Sequence, residues 1–155
     1  MAYCTIAVAL AAAPTRSVAY GKEVWECYAE TISPEPAQLV LRVSNGTKKG
    51  TLFATKKTGD RLIISGDLIL NDPTNSTVLY GQMFCDAHDD QFVNEVIVVG
   101  RLSKEAKVSD TQKSAARSVA VNRYNDGEEL TDWFRLRGYG FSMDKLVGAP
   151  KGSLI

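Results

Sequence analysis

The sequence predicts an all-β chain with a short helix in each half, organised as two consecutive five-stranded barrels. Three observations carry that prediction. Apolar runs of strand length recur along the chain, and clusters of Gly, Pro, Asn and Asp punctuate them. One order of elements then occurs twice, at a period of about 90 residues, which is the size of a domain rather than of a solenoid repeat.

The elements follow in order. An apolar strand opens each half, Thr5–Leu10 and then Glu95–Gly100. After a polar turn comes a second strand, Val18–Thr31 and Ala115–Tyr124, and then a third, Gln38–Ser44 and Asp132–Tyr139, each running into a glycine, Gly46 or Gly140. Helical stretches are expected at Thr47–Lys57 and Phe141–Val147. Each is followed by a strand entered through glycine, at Gly59–Ile63 and Lys151–Ile155. The first half continues with a fourth strand, Leu62–Leu70, a turn at 71–74, and a fifth strand, Thr77–Cys85. Five strands with a helix between the third and fourth form the OB arrangement, a partly open Greek-key barrel. The expected division is a first OB-fold domain at 1–87, a linker at 88–93 and a second OB-fold domain at 94–155. The second half reaches Ile155 as its fourth strand begins, and a barrel without its last strands exposes an unpaired edge. The expectation is therefore that the natural chain continues, or that another chain supplies the pairing.

Composition narrows the classes without choosing among them. The chain has 155 residues, 45% hydrophobic and 23% charged, with 18 basic and 18 acidic residues, so no strong field points to a partner. Residues 93–155 carry ten Lys or Arg against eight Asp or Glu, a mild basic bias. Cys4, Cys27 and Cys85 are odd in number and match no metal spacing, so they read as buried or free thiols in a reducing compartment. His88 lies in a polar linker run, Asp86–Asp90, and no metal is expected. The apolar run Tyr3–Ala13 lacks a basic leader and is shorter than the roughly 20 residues that span a bilayer, so it reads as a strand. No phosphate loop, metal cluster or nucleophile elbow is present, and neither a catalytic residue nor a cofactor is assigned.

Four segments of the second half carry a family likeness. Asn94–Leu102, Ala120–Arg123, Asp132–Phe134 with Tyr139–Gly140, and Lys151–Ile155 occur in the order of the first to fourth strands of the bacterial single-stranded-DNA-binding proteins, which this chain resembles. The first half matches in outline only, through its opening strand and Gly59–Gly66. The resemblance implies an OB-fold protein that binds and protects single-stranded DNA in replication, repair and recombination. It also implies a homo-oligomer (a dimer bringing four OB domains together, or a tetramer), contacts with replication and repair proteins, and a nucleoid-associated cytoplasmic location, or the host cytoplasm for a viral source. The usual member has one OB domain per chain and an acidic C-terminal tip, and this sequence shows neither.

The residues themselves supply a site by parity. Side chains alternate along a strand, so Trp133, Arg135, Arg137 and Tyr139 share one face while Phe134 and Leu136 take the other. Two rings for stacking and two cations for phosphate are what sequence-tolerant single-strand binding needs. Burying Trp133 instead would carry both arginines inward. Tyr124 and Arg123 end the preceding strand, and by the resemblance Tyr124 falls near a stacking position. Lys104, Lys107, Lys113 and Arg117 extend a phosphate track. In the first half the third strand has no aromatic, and its outer face is expected to offer Val40, Arg42 and Ser44. Acidic neighbours Glu23, Glu26 and Glu30 oppose phosphate there, and Trp25 reads as core. That domain is expected to bind weakly or to serve oligomer contacts. Two rivals remain at this level: an RNA-binding OB protein, because stacking does not distinguish the sugars, and an assembly module without a nucleic-acid partner.

Overall fold

A computed structural model describes residues 1–70 and 72–155. In chain order the elements are β1 (Ala2–Leu10), β2 (Thr15–Ala19), β3 (Lys22–Thr31), β4 (Gln38–Ser44), α1 (Lys48–Ala54), β5 (Arg61–Ile69), β6 (Val78–Asp86), β7 (Asn94–Val98), β8 (Arg101–Leu102), β9 (Lys107–Val108), β10 (Ser114–Asn125), β11 (Glu128–Tyr139) and α2 (Phe141–Gly148). They gather into two compact units, Ala2–Ile97 and Val98–Ile155 with Met1.

In the first unit the pairing runs β1-β3-β4-β6-β5 and returns to β1, a closed five-stranded barrel. β4 and β6 run parallel, and α1 separates β4 from β5, as the OB arrangement requires. Alternation builds the interior. Ile6, Val8 and Leu10 of β1 meet Leu39, Leu41 and Val43 of β4 and Leu62 and Ile64 of β5. Thr47 caps α1, its Oγ1 accepting from the Gly50 amide at 2.9 Å, and the helix sends Phe53 fully into the core, edge-on to Phe84 at 5.6 Å between ring centroids.

Two strand expectations change. The run 18–31 is not one strand, because Tyr20 and Gly21 both take positive φ and turn the chain back, pairing β2 with β3. The apolar run read as opening the second half forms β7 and lies along β1 at the end of the first sheet. The reason is an unfilled edge. β1 meets β3 over Val8–Leu10 only, and the Ala7 amide donates to Val93 O at 2.7 Å. Of the turn expected at 71–74, Asn71 lies outside the described residues.

The second sheet starts instead at β8 and has the order β11-β10-β8, with β9 also on β10. β10 and β11 pair residue for residue from Ser114↔Tyr139 to Asn125↔Glu128 around Asp126–Gly127, both at positive φ, so the expected loop shrinks to a two-residue turn. Leu102, Val119, Val121, Phe134 and Leu146 are buried, and α2 packs on β10 and β11. Gly138 permits that approach, since a Cβ there would sit 2.8 Å from the Ser142 backbone. Ser153–Ile155 hydrogen-bonds to Gly100–Leu102, with Leu154 bridged to Arg101, where the sequence places the entry to a fourth strand.

Because Phe53 has no solvent exposure and fills the barrel interior, Phe53→Ala is expected to lower the first unit's unfolding free energy by about 3–5 kcal/mol. Urea denaturation followed by Trp25 fluorescence in a Trp133→Phe background measures it.

Candidate functional site

The outward face of β11 is open. Trp133 and Tyr139 are 57% and 62% exposed, Arg135 and Arg137 are exposed between them, and Phe134 points inward and is buried. The β10 register explains why the rings stay accessible. Residues directly opposite share a face, and here the partners are Ala120 for Trp133, Ser118 for Arg135, Ala116 for Arg137 and Ser114 for Tyr139. Every one is small. A low lane therefore runs beside a wall of rings and guanidiniums about 20 Å long, at the roughly 3.4 Å rise of each strand residue. On its far side Lys107 stands opposite Ala116, and Arg101 opposite Ala120. Two strand spacings set these cations about 10 Å from the β11 wall. Tyr124, 75% exposed, shares the face near the turn, where it faces Glu129.

The remaining expected residues separate. Lys104 and Lys107 are exposed and line, with Arg135, a hollow of about 290 Å³ beside the lane. Lys113 is exposed just before β10. Arg117 and Arg123 require correction, because they lie on the inward face with Val119 and Val121. Arg117 is only 4% exposed, and its guanidinium donates to the carbonyls of Lys104 (2.6 Å), Leu146 (2.8 Å) and Ala149 (2.6 Å). It closes the last turn of α2 and ties down the 104 segment, which leaves nothing for a phosphate. Arg123 Nε pairs with the buried Asp132 carboxylate at 2.9 Å. The signal was present: 117, 119, 121 and 123 have the parity of the apolar pair. Sequence reasoning also missed Arg101, whose Nη1 reaches Gly152 O at 3.1 Å, and the small-residue lane itself.

The corresponding strand of the first unit has a different fate. Val40 and Arg42, expected on an open outer face, are buried with Ile69, Val78, Asp72 and half-buried Tyr80; Ser44 alone stays exposed. Arg42 donates to Glu26 at 2.6 Å and to Asp72 at 2.7 Å, with its guanidinium 5.8 Å from the Tyr80 ring centroid. Burial alone would raise the Asp72 carboxyl, but hydrogen bonds from Arg42 and Thr74 overcome it and hold the pKa at about 2. Burial likewise works against the Arg42 charge, and the two carboxylates more than compensate, raising its pKa. A carboxylate thus already occupies the cation that a phosphate would need. Trp25 is half-buried against the barrel core, its indole N–H donating to Asn45 Oδ1 at 3.0 Å.

The other reactive groups offer little chemistry. Burial pushes the Cys4 thiol up to about 11 and Cys27 to about 12, so both stay protonated at neutral pH. Cys85 is exposed. Among the described residues no group of three or more His, Cys, Asp or Glu gathers closely enough to hold a metal, and no helix is long and apolar enough to cross a membrane.

No protein-family model matches the sequence, and neither does any curated protein. Among solved structures, the chain is similar to the wild-type single-stranded DNA binding protein from Thermus aquaticus, with a TM-score of 0.68 at 12% identity, over 99% of this chain and 81% of that one. It is similar also to a deletion mutant of that protein bearing an Arg-to-Ala change, with a TM-score of 0.67 at 11% identity, over 99% and 82%. At these identities the likeness establishes the fold.

Glu26 still pairs with Arg42 when Asp72 is removed, but two buried guanidinium N–H groups lose their acceptor, so Asp72→Ala is expected to destabilise the first unit by about 1–3 kcal/mol at pH 7. The folded pKa of Asp72 lies below the usual carboxylate value of about 3.9, so its stabilisation is complete above pH 4 and is lost as pH falls through about 2. Urea midpoints of wild type and variant should therefore converge between pH 4 and pH 2. A gap that stays constant with pH contradicts the assignment.

Proposed function

We propose that the chain binds single-stranded DNA without sequence preference and without catalysis, through the outward face of β10 and β11. One observation carries the reading. Trp133, Arg135, Arg137 and Tyr139 stand together on an open face whose opposite residues are all small. Exposed rings are costly to solvate and idle in a domain with nothing to stack on them, whereas unpaired bases gain about 1–3 kcal/mol each on such surfaces. Arg101, Lys104 and Lys107 add positive charge across the lane, while Tyr124 and Lys113 lie at its margins. The Thermus aquaticus neighbours, described as single-stranded DNA binding proteins, agree with this use of the fold.

On this reading the chain carries two OB-type domains in tandem with unequal tasks. The second holds the strand, and the first, its outer face covered by its own chain, contributes structure or contacts between copies. Pairs of chains would then present two strand-binding faces, suited to covering exposed single strands in replication, repair or recombination.

Titration of fluorophore-labelled dT oligomers, followed by fluorescence anisotropy, tests the proposal. Trp133→Ala and Tyr139→Ala should each weaken binding by about 1–3 kcal/mol. Arg137→Ala should reduce the slope of log affinity against log salt by about 0.7, one phosphate of a single strand. Unchanged affinity in both aromatic variants defeats the proposal, and tighter binding to rU than to dT would redirect it to RNA.

A further inference from the structure

The hollow beside the lane has a construction of its own. Ala116 and Ser118 form its floor, and Lys104, Lys107 and Arg135 stand round it with a single acid, Glu105. Among the described residues none of the three cations takes part in an ion pair. Like charges converging on one concavity focus a positive potential into it, and the arrangement is relieved when an anion enters. The rim is held in place from beneath: the buried Arg117 guanidinium grips the Lys104 carbonyl and the end of α2 together, and the Ser103 amide donates to the Ser118 carbonyl at 3.0 Å. At about 290 Å³ the space lies at the small end of ligand sites, enough for a phosphate and its sugar.

Resting on the single-strand reading above, we infer that this hollow seats one phosphodiester of the bound strand, held jointly by Lys104, Lys107 and Arg135. The expected track of separate phosphate contacts is thereby replaced, at these three residues, by one shared anchor. Arg135 belongs to both the ring wall and the hollow, being two residues from Trp133 on the same face. A strand with a base on Trp133 therefore lets its backbone down beside Arg135 and crosses β10 toward β9. The strand is fixed to the sheet at that crossing, and its bases are free to vary on either side.

Salt-dependent binding of a dT oligomer distinguishes one shared phosphate from three. Lys104→Gln, Lys107→Gln, Arg135→Gln and the triple variant are compared with wild type, with thermal melting as the folding control. Joint capture predicts that the triple variant loses about 0.7 from the salt slope, and that the single losses in affinity do not add. Separate contacts predict a loss of about 2, which overturns the inference, as does an unchanged slope. Ser118→Phe gives an independent check, because it fills the floor and removes no charge. It should lower the slope by the same 0.7 or so, and an unaltered slope overturns the inference. Should wild type fail to bind dT at any salt, the single-strand reading falls and takes the anchor with it; binding with the wrong slopes removes the anchor alone.

Discussion

The constraint on which the molecule's exposed chemistry depends is the register of one antiparallel ladder. A shift of a single residue between β10 and β11 would exchange every inward side chain for an outward one. With β11 turned over, Phe134 would face solvent, while Trp133 and Arg135 would enter a core whose acceptors Arg117 and Arg123 already occupy. Two features hold the register. Asp126 and Gly127 both adopt positive φ, the geometry whose twist matches the strands they join. Gly138 lets α2 come down on β11 with its own Leu146 buried, on the side where Phe134 is buried, so that only one alignment buries an apolar set. The open face is thus a by-product of what the closed face must satisfy.

The two units treat the strand before their helix in opposite ways. In the first, β4 presents Arg42 outward, but chain between β5 and β6 supplies Asp72 and covers it. A buried cation between two carboxylates is no great source of stability compared with an apolar filling, yet breaking it is costly. That asymmetry keeps the face shut. In the second unit β11 has no such cover, and small residues on β10 leave its rings and cations reachable. The neighbours that a strand is given decide whether its outward side chains stay reachable.

Much of this was legible from the residues. The alternation Trp133-Phe134-Arg135-Leu136 declares its own two faces, and the third strands and both helices lie close to where patterning places them. What escaped depends on pairing between segments remote in sequence. The run at 94–98 looks like any apolar strand, and only the vacant edge of β1 decides where it lies. Arg42 sits among apolar neighbours with nothing local to announce Asp72, thirty residues on. Arg117 and Arg123 share the parity of Val119 and Val121, so their inward direction is legible, while the backbone carbonyls and the carboxylate that receive them there are not. The small residues of β10 are unremarkable until the ladder sets each against a ring or a cation.

The ladder joins Ser114–Asn125 directly to Glu128–Tyr139, so the lane's floor and its ring wall come from one uninterrupted stretch of chain. Hairpins of this kind zip in about 1–10 μs, far sooner than distant strands can find each other. A two-stranded ribbon alone is only marginally stable in water, however, and persists here because α2 shields its apolar side. The wall of rings is therefore among the earliest surfaces to take shape as the polypeptide collapses, and among the later ones to become permanent.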